Sequence, residues 1–166
     1  MSLYLDVSLQ RQRLSVMEDG HCLREYPVST ALKGAGEREG SYCTPRGKHA
    51  IRLKIGTNMP INTVFVGRRP SGEIYTDELG EREPGRDWIL TRILWLSGQE
   101  KGFNRGGERD SLRRFIYIHG TNEEHLIGQA ASHGCVRMKN QDILELFDLV
   151  EQGTLVFIHD DEGTSD

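Results

Sequence analysis

Hydrophobic residues alternate with polar ones from the first positions of the chain. Leu3, Leu5, Val7 and Leu9 are interleaved with Tyr4, Asp6 and Ser8, the two-residue period of a half-buried strand. Arg13 to Met17 predicts a second strand, and Asp19-Gly20 is a hairpin signal leading into a third, Cys22 to Ser29. Lys33 to Gly47 is rich in glycine and predicts a loop, with Thr44-Pro45-Arg46-Gly47 suited to a turn. Ile51, Leu53 and Ile55 again alternate with charged residues, and Thr63 to Gly67 is β-branched; both predict strands. Arg69-Pro70-Ser71-Gly72 is expected to turn the chain.

Asp87 to Leu96 is apolar without a clean period. Its isoleucines, threonine and tryptophans, followed by Ser97-Gly98, favour a strand over a helix. Gln99 to Asp110 predicts an exposed loop near the mouth of a site. The one strong helical pattern is Ile143, Leu146, Phe147 and Val150, spaced i, i+3, i+4 and i+7, with Asn140 placed to cap it and Gly153 to end it. Thr154 to Ile158 predicts a closing strand. The sum is a mostly β fold with one or two helices, expected as a single domain over residues 1–159, with 160–166 a disordered polar tail.

Composition narrows the function. A chain of 166 residues with 36% hydrophobic and 28% charged residues can bury a sizeable core and is not of the disordered class. A net charge of −4 gives no reason to expect a nucleic-acid partner. No segment approaches the roughly 20 apolar residues of a membrane span, and the N-terminus lacks the signature of an export signal, so a cytoplasmic protein is expected; a leader removed from the chain would make it periplasmic. Cys22, Cys43 and Cys135 are an odd set at irregular spacing, which is no disulfide framework.

The chemistry concentrates between Phe115 and Met138, FIYIHGTNEEHLIGQAASHGCVRM. Cys135 follows a glycine that lets backbone approach a ligand, and amides around Gly134 and Cys135 are candidate donors to an oxyanion. Thiolate is the reactive form, so a nearby histidine matters. His119 ends a strand, a rigid mount, and is preferred as the base; His133 is assigned to shaping the oxyanion pocket. Zinc held by His119, His125, His133 and Cys135 is the competing reading, but there is no C-x-x-C pair and no H-E-x-x-H helix. Arg137 is either a surface charge or a carboxylate anchor. Arg113 and Arg114 can be solvated charges, His125 exposed, and Cys22 and Cys43 structural. Ser132 lacks a G-x-S-x-G elbow and suits a turn or hydrogen-bonding role.

Ile118-His119-Gly120-Thr121 followed by Ser132-His133-Gly134-Cys135-Val136-Arg137-Met138, with Asn140 and Asp142 beyond, resembles the signature of the L,D-transpeptidase catalytic domain family of YkuD type. The similarity reaches back more weakly through Thr44-Pro45-Arg46-Gly47. It implies a β-sandwich-like catalytic domain that needs no cofactor and no metal. It also implies roles: Cys135 the nucleophile, His119 the base oriented by the Gly120 carbonyl, Ser132, His133 and Gly134 about the oxyanion and substrate, and Arg137 on a substrate carboxylate. The implied substrate is a peptidoglycan stem tetrapeptide or muropeptide, attacked at its third, diamino-acid residue with loss of the terminal D-alanine. Without an export signal, water is the expected acceptor, which makes an L,D-carboxypeptidase of wall recycling. Transfer to an amine, giving 3→3 cross-links or wall-attached proteins, is the alternative. A non-catalytic muropeptide-binding domain is the alternative of another class, and failure to be acylated by carbapenems would favour it.

Overall fold

The alternation at the N-terminus becomes a meander. In the computed structural model, which describes residues 3–160, β1 (Leu3–Ser8), β2 (Arg13–Glu18) and β3 (His21–Pro27) pair antiparallel in sequence order. Leu5, Val7, Leu14, Val16 and Tyr26 supply the buried face. Asp19 and Gly20 both take positive φ, 53° and 80°, the backbone that a two-residue hairpin needs to follow the strand twist.

The remaining strands are β4 (Gly47–Ile55), β5 (Thr63–Val66), β6 (Arg69–Ile74), β7 (Ile89–Gly98), β8 (Tyr117–Gly120), β9 (Val136–Met138) and β10 (Leu155–His159). They form one mixed sheet in the order β3-β2-β1-β10-β4-β7-β5-β6, with β8 also on β7 and β9 on β8. Ile93 and Leu94 pair with both β4 and β8, and Leu90 with both β5 and β8. Thus β4 and β5 share one edge of β7 in succession, and β8 takes the other. The sheet then curls back on itself. The chain just after β3 pairs with the β9 strand, Ser29 exchanging N–H···O bonds of 2.9 and 2.8 Å with Arg137. Gln12 secures that closing segment, its amide bonding the Thr30 N–H and hydroxyl.

Helix α2 (Asn140–Leu149) packs on β7 and β8 and lays Ile143, Leu146 and Phe147 into the core between the curled strands. The fold is mostly β with two helices. The other helix, α1 (Asp77–Arg82), is capped by the Thr76 hydroxyl on the Leu79 N–H and buries Leu79 beside Trp88 and Leu90.

Several local expectations give way. Arg69 to Gly72 is not a turn: it belongs to β6, and the turn is Gly67-Arg68, both at positive φ. Pro70 is tolerated because β6 is an edge strand. Thr44 to Gly47 is not a turn: Thr44 is buried and bridges Ala35, and Gly47, at φ 100°, opens β4. Asn140 is the first helical residue rather than the cap; Lys139 occupies that position and the Glu124 carboxylate accepts the Asn140 N–H at 2.7 Å. Gly153 sits in the turn before β10, after the helix has ended at Leu149. The expected tail lies outside the described residues except Asp160, whose carboxylate meets Arg46 at 3.4 Å.

The loop of residues 99–110 is pinned rather than free. Asn104 is fully buried, its side chain bonding the Arg46 and Lys48 carbonyls at 2.9 and 3.1 Å. A β-carbon on Gly98 would come within 2.6 Å of the Asn104 carbonyl carbon. Gly98→Ala is therefore expected to cost about 1–3 kcal/mol, read by chemical denaturation. Parental stability in that variant would show that the loop is not seated on the end of β7.

Candidate active site

Parallel pairing of β8 with β9 sets Ile118 beside Val136 and His119 beside Arg137. Strand alternation sends Ile118, Val136 and Met138 into the core. Tyr117, His119, Cys135 and Arg137 then line one cleft of about 370 Å³ on the other face. Cys135, half-buried just before β9, directs its thiol at the Phe115 carbonyl (3.4 Å) and accepts the Tyr117 N–H (3.3 Å). His133, Ser132, Arg114, Asp87 and the exposed rings of Tyr42 and Phe115 complete the walls.

His119 is buried, and its Nδ1 lies 2.6 Å from the Gly120 carbonyl. A carbonyl only accepts, so Nδ1 carries the proton and Nε2 keeps a free lone pair. Gly120 is needed on packing grounds, since a β-carbon there would overlap the Asn140 amide and approach the Leu90 carbonyl to 2.8 Å. The Asn140 amide donates to the Thr121 carbonyl (2.8 Å) and accepts from the Thr91 hydroxyl (2.5 Å). Thr91 adopts φ 77° at the bulge where the β7–β8 register slips.

Burial pushes the Cys135 thiol up to about 11, the Tyr117 N–H and Arg137 pulling the other way and Asp87 adding to the rise. Burial also lowers His119 to about 4, against the Gly120 hydrogen bond and Asp87. At neutral pH the empty site therefore holds a neutral thiol and a neutral imidazole. Such a histidine can accept a proton, and the thiol has one to give.

Gly134 is buried at φ 134° and does not line the cleft. Its carbonyl accepts the Thr44 hydroxyl (2.9 Å) and its N–H is directed to the Ser132 hydroxyl (3.2 Å). Ser132 in turn donates to the Cys135 carbonyl at 2.6 Å, so it ties the loop around the cysteine. His133 is exposed and edge-on to Tyr42. Arg137, almost buried, pairs with Glu123 at 3.0 Å and with Asp87 at 3.8 Å.

His125 stands exposed on a 3-10 turn (Glu124–Leu126) outside the cleft. Among the described residues, no three or more His, Cys, Asp or Glu side chains gather as a metal site, and no helix is long and apolar enough to cross a membrane.

Three groups escaped sequence reasoning. Arg114 is not a solvated charge: its guanidinium donates to the Cys43 and Gly36 carbonyls at 2.6 and 3.2 Å, bracing the 33–47 loop over the cleft. Thr44 supports Gly134 from the same loop. Asp87, from the link between α1 and β7, is the cleft's only carboxylate among the described residues. A second cleft of about 330 Å³ adjoins the first, sharing Asp87, His133 and Arg137 with it. A larger groove of about 920 Å³ beside β1 and β10 is lined by neither histidine nor cysteine.

The sequence profile of the YkuD family, the L,D-transpeptidase catalytic domain, matches residues 2–158. The chain is 27% identical over 158 residues to the putative L,D-transpeptidase YqjB of Bacillus subtilis, covering 95% of this chain and 72% of that one. It is 36% identical over 118 residues to the putative L,D-transpeptidase YkuD of the same organism, covering 68% of this chain and 62% of the relative. Its fold is similar to that of the L,D-transpeptidase LdtMt1 solved in complex with imipenem, with TM-score 0.57, 19% identity, and coverage of 95% of this chain and 59% of that one.

A neutral resting pair has a kinetic signature. Alkylation of Cys135 by iodoacetamide in the empty enzyme is expected to keep climbing beyond pH 9, because the thiolate fraction rises toward a pKa near 11. A plateau reached by pH 7 would refute it, since that requires a preformed thiolate–imidazolium pair.

Proposed function

The chain belongs to the L,D-transpeptidase catalytic domain family, and from that premise we propose that it cleaves peptidoglycan stem tetrapeptides as a cysteine L,D-carboxypeptidase. One observation carries the mechanism: His119 on β8 and Cys135 at the entry to the adjoining β9 line a common cleft, and His119 spends its Nδ1 proton on the Gly120 carbonyl. The unprotonated Nε2 takes the thiol proton as Sγ attacks the carbonyl of the third residue. The resulting imidazolium returns that proton to the departing amine of D-alanine, which leaves a thioester on Cys135. Water then attacks the thioester with loss of its proton to His119, the tripeptide leaves, and the thiol regains the proton. No cofactor enters these steps.

Arg137 holds a substrate carboxylate in this scheme, already oriented by Glu123. His133 is the member of the Ser132-His133-Gly134 run best placed at the oxyanion, because it lines the cleft and the Ser132 hydroxyl is spent on the Cys135 carbonyl. The Gly134 N–H must leave the Ser132 hydroxyl before it can serve. The exposed thiol of Cys22 suits a reducing compartment, which supports a cytoplasmic enzyme acting on soluble muropeptides. The adjoining cleft favours the second reading, transfer of the acyl group to an amine, since that volume could seat an acceptor peptide.

Incubation with a disaccharide-tetrapeptide distinguishes the two: tripeptide and free D-alanine without dimer is the expected outcome, and a cross-linked dimer would establish the transferase instead. Cys135→Ala should lower turnover by about three orders of magnitude or more, and His119→Gln by about a hundredfold or more. Retained turnover in Cys135→Ala would remove the mechanism. A carbapenem is expected to add its mass to the parent protein but not to Cys135→Ala, as read by intact mass spectrometry.

A further inference from the structure

Asp87 stands out once the charges around the cleft are assigned. Arg114 is committed to loop carbonyls, and Arg137, oriented by Glu123 at 3.0 Å, is assigned to the substrate carboxylate. Asp87 is the only carboxylate lining the catalytic cleft among the described residues. It meets Arg137 at 3.8 Å, beyond hydrogen-bond length, with its side chain 64% exposed. It therefore has both charge and room for another partner.

The mount is firm even though the carboxylate is open. Trp88, the next residue, is buried edge-on against Tyr75 with ring centroids 5.0 Å apart. The Arg86 guanidinium, two residues earlier, covers the Trp88 ring at 4.2 Å and is itself held by Glu73 at 2.7 Å. The backbone that carries Asp87 is thereby held, with its carboxylate open on the cleft.

We propose that Asp87 is a specificity-determining residue that binds the side-chain ammonium of the diamino acid whose carbonyl Cys135 attacks. The proposal rests on the stem-peptide reading of the cleft. A stem tetrapeptide joined to its sugar through an N-terminal amide carries no other cation than that amine. Amine and scissile carbonyl belong to one residue, so a carboxylate in the same cleft as Cys135 is the group such an amine would meet. Arg137 and Asp87 side by side then match a substrate that presents carboxylate and ammonium together. The bound ammonium would also offset the Asp87 charge that opposes ionisation of Cys135.

The test compares two tetrapeptides, one with the diamino acid amine free and one with it acetylated. The parent enzyme is expected to prefer the free amine by about tenfold in kcat/KM, mainly through KM. Asp87→Asn should bring the ratio between the two peptides close to one, and Asp87→Glu should keep the preference. An unchanged ratio in Asp87→Asn, or no preference in the parent, would overturn the assignment. If neither peptide releases D-alanine, the catalytic reading fails on its own, and calorimetric titration of both peptides into Cys135→Ala decides the binding role. Tighter binding of the free amine, abolished by adding Asp87→Asn, upholds it; equal or absent binding overturns it.

Discussion

The side-chain amide of Asn140 joins three elements at one buried point. It donates to the Thr121 carbonyl after β8, accepts from Thr91 at the bulge of β7, and stands at the start of α2. It also fills the space that only glycine at position 120 leaves open. Glycine there sets the carbonyl that His119 Nδ1 meets at 2.6 Å, and that hydrogen bond fixes which imidazole nitrogen keeps its lone pair. Displacing the amide would take its partner from the buried Thr121 carbonyl, at a cost of about 1–3 kcal/mol, and would loosen the backbone that orients His119. Helix, bulge and strand β8 are thus one polar network, so the orientation of His119, the proposed base, is inherited from the packing of the fold.

The choice of a carbonyl rather than a carboxylate as the orienting group has electrostatic consequences. A buried carboxylate would favour the imidazolium, whereas a dipole without net charge leaves burial in command, and His119 falls to about 4. The same burial raises Cys135. Both partners rest uncharged, which avoids holding an ion pair in a poorly solvated cleft without substrate. In the proposed mechanism charge separation is deferred to the moment of attack. On that reading, reactivity toward a bound carbonyl is separated from reactivity toward small electrophiles.

The parts of this arrangement that are local in sequence were legible there. His119-Gly120 and the Ser132 to Met138 run carry their chemistry within a few residues, and the alternating strands announce their buried faces. The misread segments are those whose roles are set by distant partners. Asparagine at the head of a helix reads as a cap, but Asn140 is diverted to Thr91 and Thr121, and Glu124 satisfies the helix N–H instead. Pro70 and Gly72 read as a turn because turn propensity is judged locally; their place on a sheet edge is a property of β5 and β7. Arg114 looked solvated because its acceptors are backbone carbonyls more than seventy residues away. Helix α1 spans six residues, too few for a helical period to show.

The groups proposed for catalysis and for recognition differ in how they are held. His119 belongs to the hydrogen-bonded seam of β8 and β9 and Cys135 immediately precedes it, backed by the main apolar core, where displacement would disturb both pairing and packing. The groups facing them come from connecting segments secured by polar contacts: Tyr42 from the loop that Arg114 braces, with Glu37 clamped by Arg46 and Arg109, and Asp87 from the link beside Trp88. Connections tolerate substitution better than a core seam does. A change of substrate charge in this fold is therefore most readily made at Asp87 and the loop around Tyr42, whereas a change of chemistry would have to pass through the Asn140 network and the strands it locks together.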